Sequence, residues 1–568
     1  MTAISSINPG LILILGALPA LLLPSVIRRL YILALPIVGF MLVHQLEPGT
    51  LVTMEAFGMM LEPLQVDRLS LVWGYIFNIA AFLGLLFAWH ERDILQQVSA
   101  LVYAGAAIAA VFAGDLVTLF VFWELTGISS VFLIWASRTP EAYRCGMRYL
   151  VIQVTSGVIL LAGAIIWYAD TGSIDFGHIG IDSMAGKLIL VAFGIKCAFP
   201  LLHNWLQDAY PQATVTGTVI LSAFTTKLAV YALARGFAGT EALIYIGATM
   251  TAFPIFYAVI ENDLRRVLAY SLNNQLGFMV VGVGVGTELA LNGTAAHAFS
   301  HILYKALLFM SMGAVLFRTG TCKGSELGGL YKSMPLTTGF CIIGAASISA
   351  FPLFSGFISK SMILTAVAEE HRWFIWGTLL FASAGVFHHS GIKIPYFAFF
   401  AHDSGRRVKE APWHMLLAMG LTAFLCIFIG VYPTALYDIL PYAVDYKPYT
   451  SYHVIQQLQL LMFSALAFTV LMLTRIYPPE LRSTNLDTDW FYRVAGPFVV
   501  GRLVQGLAAI GTAIETSLTK VAVDTITVIR RHHGPEGFMA KTLHLSSMVF
   551  WVVAALAFVL ILDFARGV

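Results

Sequence analysis

Apolar runs follow one another along nearly the whole chain. Windows of about 19 apolar residues fall near 9–27, 30–46, 69–89, 95–113, 116–136, 147–168, 187–206, 213–235, 241–260, 267–286, 290–316, 336–367, 373–398, 412–433, 456–475 and 545–565. Each is long enough for a helix to cross the hydrocarbon core of a bilayer, which takes about 20 residues. The pattern predicts an all-α polytopic membrane protein of about sixteen transmembrane helices, numbered here as crossings in chain order. Only the stretch 476–544 differs. There Val499, Leu503, Leu507, Ile510, Ile514, Leu518, Val521 and Val528 recur at helical spacing, while Arg502, Glu515, Lys520 and Asp524 take other faces. This predicts an amphipathic helix lying laterally along the membrane or against partner subunits.

Two of the apolar runs share the segment AFPL, at Ala198–Leu201 and Ala350–Leu353. A proline inside a helix removes a hydrogen bond and clashes with the preceding turn. Pro200 and Pro352 therefore predict broken seventh and twelfth helices, which a bilayer tolerates only where they line a polar cavity. Paired interrupted helices in two halves of a transporter point to an ion path.

The 568 residues are 58% hydrophobic and 11% charged, with a mean hydropathy of +0.81. That leaves too little polar material for a large soluble domain. The net charge is +2, and no basic run stands outside the apolar segments, which excludes nucleic-acid binding. Cys145, Cys197, Cys322, Cys341 and Cys426 are scattered, without metal-ligand spacing. The opening MTAISSINPGLILILGALPALLL lacks a basic n-region and reads as the first helix, not a cleaved signal. Arg28, Arg29, Arg92, Arg138, Arg144, Arg265, Arg266, Arg318, Lys323, Lys332, Arg406, Arg407 and Lys409 gather after odd-numbered crossings, whereas Asp170, Asp175, Asp182, Glu369, Glu370, Asp438 and Asp445 lie on the other side. By the positive-inside rule both termini face away from the cytoplasm.

Charges within the apolar runs carry the candidate chemistry. Glu124, Lys196, Lys227, Lys305, Lys360 and Lys393 all lie mid-span, where a charge costs roughly 2.5–3.5 kcal/mol on insertion scales. Burial and opposite charges move proton affinities in opposing directions, so such groups can be poised near neutrality, as a proton relay requires. His297, His301 and Lys305 recur at i, i+4 and i+8 and share one helix face. The pair His297 and His301 has zinc-like spacing, but without HExxH, a third ligand or an acidic neighbour it predicts no metal. His203, His388 and Lys393 are weaker candidates, and His388 with His389 is expected near a membrane surface. GVGVG at Gly282–Gly286 lacks the strand and acidic residue of a dinucleotide fold and fits helix packing. No catalytic motif and no cofactor is predicted.

The segments FWELTGISS, GIKCAFPLLHNWLQDAYPQATVTGTVILSA, ENDLRRVLAYSLNNQLGFM, HAFSHILYKALLFMSMGAV and FPLFSGFISKSMIL together resemble the antiporter-like membrane subunits shared by respiratory complex I, membrane-bound hydrogenases and Mrp sodium/proton antiporters. NNQLGFMVVGVGVGTELALNGTAAHAFSHILYKAL is most similar to the D-type Mrp subunits, and the resemblance covers about residues 65–435. It implies fourteen core helices with two inverted five-helix repeats. The expected division is crossings 1–3 at 1–94, a first repeat at 95–235, an inverted second at 236–400, crossings 14 and 15 at 401–475, the amphipathic insert at 476–544 and a last crossing at 545–568.

The resemblance also implies roles. Glu124 becomes the acidic partner of Lys196, and the two form a switchable pair that couples proton movement to neighbouring subunits. Lys227 becomes a bridging lysine, His297, His301 and Lys305 a relay, and Lys360 a terminal station. The implied function is proton translocation in a multisubunit cation/proton antiporter of a prokaryotic inner membrane, with homologous membrane subunits as partners and sodium as a possible coupled ion. The tail, with TDWFYR and a sixteenth crossing, departs from the Mrp D-like pattern. It keeps open a membrane-arm subunit of a complex I-like, hydrogenase-like or inorganic-carbon-uptake complex. A non-conducting scaffold is the third alternative.

Overall fold

A computed structural model describes residues 7–566 except 57, 479, 482–484 and 486. The protein is a multi-pass helical membrane protein, and every apolar window falls on a helix or on a pair of helix segments. Among the described residues, 12 helices are long and apolar enough to cross a membrane. The chain divides into two compact units, Met1–Asn485 and Leu486–Val568.

The first unit opens with α1 (Gly10–Ala20) and α2 (Ser25–Gln45), then an antiparallel hairpin of β1 (Leu51–Ala56) and β2 (Met59–Gln65) that pairs Leu51 with Gln65 and Ala56 with Met59. The hydropathy windows did not reveal this hairpin, because its strands are interrupted by Thr53, Glu55 and Glu62 and are too short for a span. It is fastened to the corner between α4 (Ile94–Val111) and α5 (Leu116–Trp135): Gln65 N donates to Phe112 O at 2.8 Å and Glu62 N to Asp115 Oδ2 at 2.7 Å. Asp115 also caps α5, accepting from Thr118 N at 2.7 Å.

After α3 (Arg68–Phe87), α4 and α5 comes α6 (Pro140–Thr171), 32 residues long. It begins before its apolar run because Thr139 caps it and Pro140 occupies the first turn. Arg144, expected in a loop, is therefore helical. Arg28 and Arg29 likewise belong to the first turns of α2 and not to a connection; Arg28 is buried, donating to Gln97 Oε1 at 2.7 Å. Pro24 ends the apolar run that the windows carried to residue 27.

The seventh apolar run is broken into α7 (Met184–Cys197) and α8 (Asn204–Gln212), and the twelfth into α14 (Pro335–Ile348) and α15 (Ser355–Glu369). Both AFPL segments adopt the same backbone: Ala198 and Leu201 have φ of 62° and 71°, Ala350 and Leu353 of 57° and 73°. Left-handed non-glycine residues cost of order 1–3 kcal/mol each. The eighth run is also broken, into α9 (Val215–Leu221) and α10 (Thr225–Gly236). No proline or glycine marks that break, so its sequence reads as one continuous helix.

Three long helices separate the interruptions: α11 (Glu241–Ile260), α12 (Leu264–Val285) and α13 (Glu288–Thr319). A Cβ at Gly277 would lie 2.5 Å from Gly247 O, and one at Gly284 2.6 Å from Ile244 N, so glycines bring the backbones of α11 and α12 together. Arg265 and Arg266 open α12 and are not loop residues; Arg265 is buried and donates to Pro211 O at 3.0 Å and Ala213 O at 2.9 Å, closing the end of α8. The unit finishes with α16 (Trp373–Val386), continued by π-helical turns at Phe387–Lys393 and Tyr396–Phe400, then α17 (Trp413–Val431), the short α18 (Thr434–Tyr437) and α19 (Ser451–Leu473). The second unit holds α20 (Gly496–His533), 38 residues long, and α21 (Leu545–Arg566), and neither buries a side chain.

Each break frees backbone carbonyls, and buried donors meet them. Trp205 Nε1 donates to Ile195 O at 2.9 Å, Tyr210 OH to Leu221 O at 2.8 Å, and Gln457 Nε2 to Ser349 O at 3.2 Å. Trp205→Phe would remove this side-chain donor and leave Ile195 O with the Ala198 N–H alone, at 3.2 Å. It should lower stability by about 0.5–1.5 kcal/mol, read as an earlier melting transition of the purified protein in detergent.

Candidate functional site

The broken helices bring basic side chains into the centre of the bundle. Lys196, Lys227, His297, His301, Lys305 and Lys393 are 0% exposed and Lys360 1%. Glu124 is half-buried.

Lys196 lies one residue before the end of α7. Its ammonium donates to Trp123 O and, at 3.0 Å, to Thr126 Oγ1, and it lies over the Trp123 ring at 4.6 Å from the centroid. Glu124 is on the same turn of α5 as these acceptors, and the two charges interact. Yet no ion pair within 4 Å joins Glu124 to Lys196, and Glu124 Oε1 has no hydrogen-bond partner among the described residues. The carboxyl instead turns toward α6, into space left by a glycine: a Cβ at Gly157 would lie 1.4 Å from Oε1.

Lys227 uses the break in its own helix, donating to Ser222 O at 2.5 Å. Around it Tyr103 OH meets Thr225 Oγ1 at 2.7 Å and accepts from Thr225 N at 3.0 Å. Lys227 lies within electrostatic reach of Cys197 on one side and of His301 and Lys305 on the other.

On α13 the helical spacing stacks His297 on His301, with ring centroids 6.2 Å apart. His297 Nδ1 meets Ser359 Oγ at 3.1 Å and Nε2 meets Tyr304 OH at 3.4 Å. Tyr304 OH donates to Gln275 Oε1 at 3.1 Å, and Gln275 Nε2 to Asn274 Oδ1 at 2.6 Å. Both His301 ring nitrogens and Lys305 Nζ lack hydrogen-bond partners among the described residues. Lys360 spans the break in the twelfth run, donating to Ile348 O at 3.1 Å, and lies over the Phe278 ring at 5.0 Å from the centroid.

The weaker candidates take different positions. His203 stands at the head of α8, its ring edge-on to Phe253 at 4.6 Å. His388 stacks on Tyr477 at 5.4 Å. His389 is fully buried, not at a surface, because the π-helical turns bring its ring inward, where Nδ1 meets Ser390 Oγ at 2.8 Å. Lys393 reaches the end of α11.

Several neighbours carry no strong sequence signal. Gly157 sits in an ordinary apolar helix, and Gln275, after Asn273 and Asn274, and Ser359, beside Lys360 and Ser361, lie on helices distant in sequence. Tyr304 could have been found, since it lies one turn beyond His301 and beside Lys305.

The fold and this buried basic row define a multi-pass membrane subunit of the antiporter-like type. Residues 113–386 match the family described as NADH:quinone oxidoreductase/Mrp antiporter, transmembrane. The D component of the Na(+)/H(+) antiporter of Alkalihalophilus pseudofirmus is 32% identical over 283 residues, which are 46% of this chain and 57% of that one. The N component of the NADH-quinone oxidoreductase of Desulforudis audaxviator is 30% identical over 369 residues, 59% of this chain and 74% of that one. The fold is also that of a chain in an archaeal respiratory membrane complex, the membrane-bound sulfane sulfur reductase, with a TM-score of 0.71 at 21% identity, covering 98% of this chain and 99% of that one. The chain belongs to the NADH:quinone oxidoreductase/Mrp antiporter membrane family.

The contact between Glu124 and Gly157 gives a direct test. Gly157→Ala places a methyl group where the carboxyl lies and should displace Glu124, while alanine itself favours the helix by about 1 kcal/mol. If Glu124 carries protons, proton flux in membrane vesicles falls about tenfold or more, while the amount of assembled protein stays near native.

Proposed function

We propose that this chain translocates protons as one subunit of a multisubunit membrane complex. Protons pass along Glu124, Lys196, Lys227, Lys305, His301, His297 and Lys360. The observation that carries this reading is the chain of buried titratable side chains between two interrupted helices, in which Lys305 and His301 have no hydrogen-bond partner among the described residues. A buried ammonium without partners is costly, and hydration along a polar path offsets that cost and supplies the carriers between stations. Glu124 and Lys196 form a pair that switches: with the carboxyl free of direct contact, either group can gain or lose a proton and alter the charge felt by the other. A fixed structural ion pair would instead be closed at hydrogen-bond distance. The same features weigh against a non-conducting scaffold.

Two driving reactions suit this arrangement. Similarity to a D-type Mrp component favours exchange of protons against a cation such as sodium. The fold shared over nearly the whole length, tail included, with a respiratory complex favours a membrane arm driven by redox chemistry in a partner. The subunits that copurify with the chain distinguish the two. The sided distribution of arginine and lysine supports an orientation in the inner membrane of a prokaryote with both termini outside the cytoplasm.

In this reading α20 lies along the membrane and clasps a neighbouring subunit, with α21 as its anchor. At about 1.5 Å per residue α20 is about 57 Å long, well beyond the hydrocarbon thickness of about 30 Å, and its Arg502, Glu515, Lys520 and Asp524 oppose insertion. Ending the chain after residue 485 leaves every proton station in place. Partner retention on affinity purification should fall, while the core still folds by size-exclusion chromatography.

Lys305→Met and Lys360→Met keep side-chain length and remove the titratable group. Each should lower proton flux about tenfold or more, with folded complex retained. Glu124→Ala should do the same by removing the partner of Lys196. Equal loss of folded complex and of flux would assign these residues to packing alone.

A further inference from the structure

The buried lysines differ in how their charge is met. Lys305 has no hydrogen-bond partner among the described residues, Lys227 and Lys360 each have one carbonyl, and Lys196 has a carbonyl and a hydroxyl. Lys393 has far more. Its ammonium donates to Ala258 O at 3.2 Å, Val259 O at 2.6 Å and Glu261 O at 2.6 Å, and pairs with Glu480 Oε1 at 3.0 Å. The carbonyls belong to the end of α11, where free acceptors and the negative end of the helix dipole favour a cation. Among the described residues, Lys393 is the one fully buried lysine with a carboxylate at ion-pair distance.

That carboxylate comes from the segment after α19, far in sequence from every other member of the site. Residues of this segment seat it on the core: Tyr477 stacks on His388, and Asn485 Nδ2 donates to Glu261 Oε2 at 3.2 Å. The charged and titratable groups interacting with Glu480 are Lys393 from the π-helical continuation of α16, Glu261 from the end of α11 and Tyr477 on its own segment; behind them lie His388, stacked on Tyr477, and Arg266 of α12, 3.9 Å from Glu261. Among the described residues, neither Glu480 oxygen makes any hydrogen bond beyond the Lys393 pair; both oxygens are buried, and the Glu480 side chain is 6% exposed against 0% for Lys393, which makes it the outer member of the pair. Burial raises the Glu480 pKa above the usual carboxylate value, with Lys393 opposing and Glu261 adding to the rise.

A connection inward also exists. His389 lies within electrostatic reach of Lys305, Lys360, His388 and Lys393, and its Nε2 has no hydrogen-bond partner among the described residues. His389 is thus electrostatically coupled both to the central row and to Lys393. The turns that hold His389 and Lys393 are π-helical, a strained register that recurs at functional sites.

We propose that Glu480, paired with Lys393, is the carboxylate through which the buried row exchanges protons with water on the side of the membrane where α11 and α19 end. When water reaches the pair, Glu480 takes a proton from hydronium at the oxygen that Lys393 does not hold, releases its hold on Lys393, and hands the proton inward toward Nε2 of His389, returning to the carboxylate. Only O–H and N–H bonds form and break, Lys393 stays an ammonium throughout, and the reverse sequence delivers protons outward. The proposal rests on the proton-translocation reading above.

The test is proton flux by the full-length chain with its membrane partners in vesicles, recorded with a pH-sensitive dye across a pH series. Glu480→Gln should slow flux about tenfold or more and flatten the limb of the pH profile that Glu480 sets, and Glu480→Asp should restore part of both. Because Glu480→Gln strands the Lys393 charge, the double variant Lys393→Met with Glu480→Met is measured beside it; no charge is left unpaired there, and the same loss is expected in an assembled complex. Native flux and a native pH profile in the assembled double variant, with Lys305→Met inactive, would overturn the role of Glu480 and leave the central row intact. Native flux in Lys305→Met as well would overturn both.

Discussion

Inside a bilayer, a carbonyl released from a helix has no water to turn to, and the protein must supply its donor. Much of this structure follows from that constraint. Three helices are interrupted, each interruption frees acceptors, and large polar side chains are held in the core to meet them: Trp205 at the first, Tyr103, Tyr210 and Lys227 at the second, Lys360 and Gln457 at the third. Two of these donors are lysines. The groups that make the breaks tolerable are thus also groups that can carry a proton, and the helix distortion and the candidate chemistry have one cause.

Some of this was legible in the chain. Hydrophobic runs located the helices, because a span must be apolar over its whole length whatever it packs against. The proline in each AFPL segment marked two interruptions, and spacing alone placed His297, His301 and Lys305 on one face. The interruption between α9 and α10 was hidden, since the intervening Ser222, Ala223 and Phe224 include no residue that opposes a helix; it is held open by Tyr103 and Tyr210 from elsewhere. Charge alone places Arg28, Arg144 and Arg265 in loops, but α2 already starts at Ser25, caps at Thr139 and Asp263 extend α6 and α12 over the other two, and Arg28 and Arg265 are buried because backbone and glutamine acceptors await them. Glu124 and Lys196 were expected as partners, and the chain could not show that the carboxyl turns instead toward a glycine on α6.

The two halves of the core handle acidity differently. In the first, the carboxyl is carried on a crossing helix and stands off from its lysine. In the second, the buried lysines are left with carbonyls, aromatic faces or nothing, and the nearest acid arrives from beyond α19, where it closes on Lys393. An acid drawn from a distant segment lies outside any local repeat, so comparing the halves by sequence does not reveal it.

The left-handed corners at Ala198, Leu201, Ala350 and Leu353 bear side chains. Glycine at such a corner could swing through a wide range of φ, whereas a residue with a Cβ is confined to one small basin. These are stiff elbows and not pivots. A change of charge at Lys196 or Lys360 therefore meets a backbone that holds its angle, and the response is left to what can still turn: lysine stems, imidazole rings and hydroxyl rotors, all of which reorient far faster than a helix can bend.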